Sequence, residues 1–357
     1  MADPTVLPAP RHAHIDVAKG IGIALVVLGH GWWLFDSRPR LLDVITSFHL
    51  PIFLFLSGVL LRPGRSWATF AAGRAQALLK PYFTVLLALA VAAVALRGQR
   101  FADRAAAMLY GNGETLTWIP MWFLPYTWLV MLATYWLIQR RALTGHAAVR
   151  TALLLALAWG GALAVPLAWD LPVSLFGQEI VVRGLPFSVD LVPIGCFFML
   201  LGYALRVYVL ADTGRWVRIA CWAAPAVFLA WHALLPASLD LNLRRYDDPL
   251  LSTVAALVGI AGTLAAARAL ARAPGLGPML GYLGKASLFI LIFHQPVQAA
   301  AWQALHPSLG TPGAALLAWL AGLAVPTLFF AAAGRIAPLR ALLLPAPRTA
   351  GPDAQRN

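Results

Sequence analysis

Apolar residues come in long runs along this chain, separated by short polar and basic segments. Ten runs read as membrane-spanning helices, at 15–35, 42–61, 76–97, 119–138, 149–168, 186–206, 216–236, 248–267, 280–303 and 313–335. A helix rises about 1.5 Å per residue and the hydrocarbon core of a bilayer is about 30 Å thick, so each crossing needs roughly 20 apolar residues. The runs 76–97 and 149–168 are mostly Ala and Leu and read as packing and lipid contact. Pro166, Pro193, Pro225 and Pro326 fall inside apolar runs, where neighbouring helices can satisfy the backbone groups that a proline leaves open. The pattern predicts an all-α, polytopic integral membrane protein with about ten transmembrane helices. It divides into a tail at 1–14, a membrane domain at 15–335 and a second tail at 336–357. No strong internal repeat is visible, which weighs softly against a transporter built from repeated halves.

Composition agrees with the pattern. Of 357 residues, 61% are hydrophobic and 11% charged, against about 25% charged in a soluble domain. The mean hydropathy is +0.75. A net charge of +13 would suit a nucleic-acid binder, but the basic residues are scattered at helix ends, where they fit the positive-inside rule better. With the N-terminus placed in the cytoplasm, inner segments hold nineteen of the 27 Lys and Arg residues and outer segments hold eight. Both termini are therefore expected inside, in a bacterial cytoplasmic (inner) membrane. The first residues lack a signal-peptide shape. Cys196 and Cys221 lie in apolar runs and read as packed thiols.

Chemistry concentrates in the first run, HIDVAKGIGIALVVLGH, from His14 to His30. Asp16 and Lys19 stand near its start and His30 near its far end, about 16 Å of helix rise beyond Lys19. Charged and polar groups are costly against lipid, so these should face protein or water. The plainer alternative makes Asp16 and Lys19 interfacial anchors, paired with each other at i,i+3.

Other runs bring polar groups to the same level. His49 stands in FHLPIFLFLSG, Trp122 and Phe123 in WIPMWFLPYTW, Asp190 in PFSVDLVPIG, and His294 with Gln295 in SLFILIFHQP. Trp118, Trp122 and Trp128 also suit an interfacial aromatic belt. Ser57 and Gly58 read as a small-residue packing seam. Asp240, Asp247 and Asp248 read as a solvated face. On the opposite side Arg62, Arg65, Arg74 and Lys80 flank one loop, with Lys19 facing the same way. These residues suit a phosphorylated ligand, and equally the ordinary positive-inside bias. The sequence holds no glycine-rich phosphate loop, zinc cluster, serine elbow or nucleic-acid module.

Six ordered stretches resemble the acyltransferase-3 family of integral membrane O-acyltransferases, most nearly its fucose 4-O-acetylase-like branch. The first is the opening Asp16, Lys19-Gly20 and, ten residues on, His30. The others are FHLPIFLFLSG, the R-x5-K-P-Y pattern of Arg74, Lys80, Pro81 and Tyr82, WFLPYTW, the segment around Asp190 and Gly202, and LGKASLFILIFHQPV. Two departures stand out. Lys19 replaces the arginine common in the family, and no close arginine pair opens the third run.

The resemblance implies an O-acyltransferase, most often an O-acetyltransferase, with acetyl-CoA or another acyl-CoA as donor and no permanently bound cofactor or metal. It implies a hydroxyl acceptor on a surface or lipid-linked carbohydrate. Expected partners are the acyl-CoA, a carbohydrate or glycolipid acceptor and membrane lipids, with no nucleic acid and with homo-oligomerisation left open. His30 is expected to act as base, with Asp190 or His294 as its partner. Lys19, Arg74, Lys80 and Tyr82 would hold the donor, and His49, Trp122, Phe123 and Gln295 would line the substrate site. A transporter of a sugar, lipid or acylated product would use the same buried polar groups.

Overall fold

The computed structural model describes residues 12–31, 39–141, 143–175, 178–211, 215–234 and 239–346. Residues 32–35 of the first predicted run, Arg11, Arg38, Arg348, Arg356 and the side chains of Arg215, Arg218 and Cys221 lie outside the described parts. The helices are α1 (Ala13–Gly29), α2 (Pro39–Val59), α3 (Trp67–Arg97), α4 (Phe101–Tyr110), α5 (Phe123–Gln139), α6 (Ala147–Ala164), α7 (Val192–Leu210), α8 (Arg215–Leu234), α9 (Pro249–Leu270), α10 (Leu276–Arg335) and α11 (Ala337–Leu343). Short helical turns, Ile119–Trp122 and Pro186–Leu191, lead into α5 and α7. Two small antiparallel hairpins interrupt the helices, β1 (Leu171–Leu175) with β2 (Gln178–Val182), and β3 (Leu239–Asp240) with β4 (Arg245–Tyr246). The sequence pattern predicted neither hairpin.

The protein is an all-α, polytopic membrane protein. Among the described residues, seven helices are long and apolar enough to cross a membrane. The difference from ten apolar runs arises at three places. Helix α1 has 17 residues, α8 has only a short apolar stretch at Ala223–His232, and the 60 residues of α10 comprise two helical segments joined end to end. The run is broken at Gly310, which adopts φ 64° and ψ −178°, a backbone state that suits glycine.

Helix α1 is the centre of the bundle, packed against α10, α2 and α9. Its buried residues Ile15, Val17, Ala18, Gly20, Ile23, Val26 and Val27 fall on several faces, as a helix enclosed by neighbours requires. Small residues set how close those neighbours come. A Cβ on Gly20 would stand 2.0 Å from the Leu280 carbonyl oxygen, and one on Gly284 would stand 1.9 Å from that of Asp16. Gly58 and Gly202 make the same close approach between α2 and α7. Backbones in contact gain dispersion energy that lipid cannot match. The result is a rigid α1 with Lys19 towards one end and His30 at the other.

Candidate active site

Two cavities flank α1. The larger, about 430 Å³, is lined by His30, His49, Trp122, Phe123 and Gln295, together with Asp43, Thr46, Asp240, Asn242 and Arg245. The sequence reading had chosen the first five. They come from α1, α2, the turn before α5, α5 itself and α10, so the bundle assembles them from five separate stretches.

The histidines share a hydrogen-bond pattern. His30 Nδ1 lies 2.8 Å from the Val26 carbonyl oxygen and His49 Nδ1 lies 2.9 Å from that of Ile45. His294 Nδ1 lies 2.8 Å from Ile290 O and 3.0 Å from Leu291 O. A carbonyl can only accept, so each Nδ1 carries the proton and each Nε2 carries the free lone pair. The helix backbone thus fixes the tautomer that can act as a base. The His294 ring packs edge-on to His30, with centroids 4.9 Å apart. His294 is fully buried, is not part of the cavity wall, and its Nε2 has no hydrogen-bond partner among the described residues. Trp118 donates its indole N–H to the Ile292 carbonyl, fixing α10 two residues before His294.

The second cavity, about 190 Å³, lies towards the Lys19 end of α1. Lys19, Ser57, Thr127 and Ser287 line it, among apolar residues. The Thr127 hydroxyl is buried there with no hydrogen-bond partner among the described residues. Ser57 therefore borders open space, although the sequence suggested only a packing seam. Leu50, Phe123 and Leu291 belong to the walls of both cavities, so the two spaces adjoin along apolar side chains.

Asp190, expected beside the reacting histidines, stands elsewhere. It forms a buried ion pair with Arg244, with Nε to Oδ2 at 3.1 Å and Nη2 to Oδ1 at 3.3 Å. Its Oδ1 also accepts from the Leu185 N–H at 2.9 Å. Arg244 donates further to Ser188 Oγ and to the Asn242 carbonyl, and its guanidinium faces the Trp169 ring at 5.4 Å. Phe187 and Ser188 adopt φ of 51° and 54°, a sparsely populated region for non-glycine residues. The Arg244 and Leu185 bonds hold that turn closed. Nearby, Tyr110 donates to the Gly184 carbonyl at 2.7 Å. Burial, and then the Asp190 carboxylate, push its phenol above the ordinary range, so it remains a donor. A carboxylate at this depth needs a partner, and here the partner is Arg244 rather than a histidine.

The proposed donor contacts also separate. Lys19 borders the second cavity. Arg74 stacks over the Phe70 ring at 5.3 Å. Lys80 Nζ donates to the carbonyl oxygens of Ala341, at 2.8 Å, and Leu344. It caps the C-terminal end of α11, a favourable place for a cation. Tyr82 is fully buried and donates to the Met108 carbonyl at 2.7 Å, tying α3 to α4. Of these four, only Lys19 adjoins either cavity.

Sequence reasoning missed Asp43, Thr46, Asn242 and Arg245, and it had assigned Asp240 to solvent. The available signal was the charged cluster DLNLRRYDD at 240–248, whose two arginines face different surroundings. A family model described as an acyltransferase domain matches residues 12–333. No curated protein and no solved structure matches the chain.

Proposed function

The chain belongs to the acyltransferase-3 family, and we propose that it moves an acyl group, in the first instance acetyl, from acyl-coenzyme A to a hydroxyl of a surface or lipid-linked carbohydrate. One observation carries this reading. His30, with Nδ1–H engaged by Val26 O, lines a cavity that shares three wall residues with a second cavity bordered by Lys19. A base and a cation thus stand at the two ends of adjoining spaces, as a reaction between an anionic donor and a hydroxyl acceptor needs.

The chemistry follows from the tautomer. His30 Nε2 takes the proton of the acceptor hydroxyl as its oxygen attacks the thioester carbonyl carbon. The tetrahedral adduct collapses, the carbon–sulfur bond breaks, and the departing thiolate takes the proton from the imidazolium. An ester and free coenzyme A result. The edge-on His294 ring keeps the His30 imidazole in place. Lys19 attracts the donor, and Phe123 and Trp122 exclude water from the thioester. His49 and Gln295 contact the acceptor. Asp190 positions the β3–β4 hairpin through Arg244 and does not touch reacting atoms.

Ten crossings are part of the proposal, counting α1, α8 and two segments of α10 split at Gly310. So are cytoplasmic termini and residence in a bacterial inner membrane, on the charge bias of the loops. O-acetylation in particular rests on the resemblance to the fucose-type branch.

The test is transfer of label from acetyl-CoA to the envelope glycan fraction of a strain lacking the protein, with activity normalised to folded protein. A general base contributes about 10²–10⁴ in rate. His30→Ala and His30→Gln should each lose that much while folding and donor binding persist. Near-normal turnover in either variant refutes the base assignment. Sugar or lipid flux without thioester cleavage by the wild type would make the two cavities a transport path instead.

A further inference from the structure

The rim of the histidine cavity carries charges that the acyl-transfer chemistry does not use. Asp240 and Arg245 are cross-strand partners in the β3–β4 hairpin, and both line the cavity. Asp43, from the first turns of α2, lines it too. The rim therefore presents one guanidinium and two carboxylates. Asp240 Oδ1 accepts the Leu243 N–H at 3.0 Å, which tightens the hairpin and leaves its second oxygen available. Among the described residues, the Arg245 guanidinium makes no hydrogen bond or ion pair.

The hairpin is held with unusual firmness for two strands of two residues each. Leu239 and Leu241 are buried beneath it. Arg244, the residue before Arg245, is locked to Asp190 with both side chains 1% exposed. Arg244 lies in the turn, with φ 55°, and Arg245 opens β4. Arg244 anchors the hairpin through Asp190, and Arg245 lines the cavity. An arrangement that fixes a guanidinium and two carboxylates beside a basic histidine fits recognition rather than solubility.

We infer that Asp43, Asp240 and Arg245 form the acceptor-recognition site, and that it selects a neutral, polyhydroxylated sugar ring over an anionic one. The inference rests on the acyltransferase reading and deepens it. Carboxylates accept hydrogen bonds from vicinal hydroxyls, and the guanidinium donates to ring or hydroxyl oxygens. Two carboxylates against one guanidinium leave the rim with excess negative charge. A phosphorylated, sulfated or carboxylated ring would meet like charge there, which is costly where water is partly excluded. A neutral ring meets only complementary groups, and its hydroxyl is carried towards His30 and His49.

The experiment uses the full-length protein in detergent, labelled acetyl-CoA, and total envelope glycan from a strain lacking the protein. The modified sugar residue is located by fragmentation mass spectrometry, and KM is measured separately for glycan and for acetyl-CoA. The wild type should place the acyl group on an uncharged sugar residue. Asp240→Asn and Arg245→Gln should each raise the glycan KM about tenfold or more, the effect of losing one charge-assisted hydrogen bond, with the acetyl-CoA KM unchanged. Arg245→Lys should recover part of the loss. Acylation of a uronic acid, sialic acid or phosphorylated residue by the wild type overturns the inference. So does an unchanged glycan KM in both variants. In either case the acyltransferase reading stands, because label has been transferred. If the wild type transfers no label to glycan at all, that reading fails and this one falls with it.

Discussion

Replacing Asp190 by Ala removes the acceptor of the two Arg244 contacts at 3.1 and 3.3 Å and of the Leu185 N–H at 2.9 Å. Arg244 is left buried, with only Ser188 Oγ and the Asn242 carbonyl as hydrogen-bond partners. Breaking a buried ion pair from one side costs about 3–5 kcal/mol, because the remaining charge stays out of water. At 1.4 kcal/mol per factor of ten, that is about two to four powers of ten in the folded-to-unfolded ratio. Replacing both partners by apolar residues of similar volume, Asp190→Leu with Arg244→Met, removes the stranded charge. Such exchanges are often neutral or stabilising, so the double variant should recover most of the lost stability. The assay is thermal unfolding of purified protein in detergent, alongside acyl transfer at saturating acceptor, normalised to folded protein. The single variant should be strongly destabilised, and the double variant should unfold near the wild-type temperature and turn over at a similar rate with a raised acceptor KM. A double variant that is fully folded yet slowed 10²-fold or more at saturating acceptor would refute the reasoning. Asp190 would then act on the reacting atoms.

Other outcomes follow from the same geometry. Lys19→Ala should raise the acyl-CoA KM several-fold in steady-state kinetics, whereas Lys80→Ala should leave it unchanged and make the 337–344 segment more sensitive to protease, since Lys80 caps that helix. Gly284→Val should force α1 and α10 apart, because its first side-chain carbon already meets the Asp16 carbonyl at 1.9 Å. Overpacking of this kind costs about 1–3 kcal/mol or more, measurable as a lower unfolding temperature with reduced transfer. A reporter fused after Arg348 should be active in the cytoplasm, and periplasmic labelling there would exclude the ten-crossing arrangement.

The apolar runs and the isolated polar residues within them were legible because each is a local departure from a strong pattern. His30, His49 and Gln295 stand out in this way, and their cavity follows once the helices pack. The partners of charged residues were not legible, because they are long-range choices. Lys80 binds carbonyl groups more than 250 residues away, and Asp190 pairs with an arginine 54 positions on. The β3–β4 hairpin has strands too short to show a two-residue period, so Asp240 looked like any solvated acid. Helix number was least legible. Length alone does not reveal that α10 continues as helix on both sides of Gly310, or that the first apolar run contains only 17 helical residues within its described part.

The partition of Leu50, Phe123 and Leu291 between the two cavities has a consequence for bioenergetics. None of the three side chains can hold or pass a proton, so this shared wall offers no hydrogen-bonding relay between the two cavities. Adjoining polar cavities inside a membrane protein risk short-circuiting the ion gradient on which a cell depends. Hydrocarbon side chains in the shared wall oppose that leak where the two spaces adjoin.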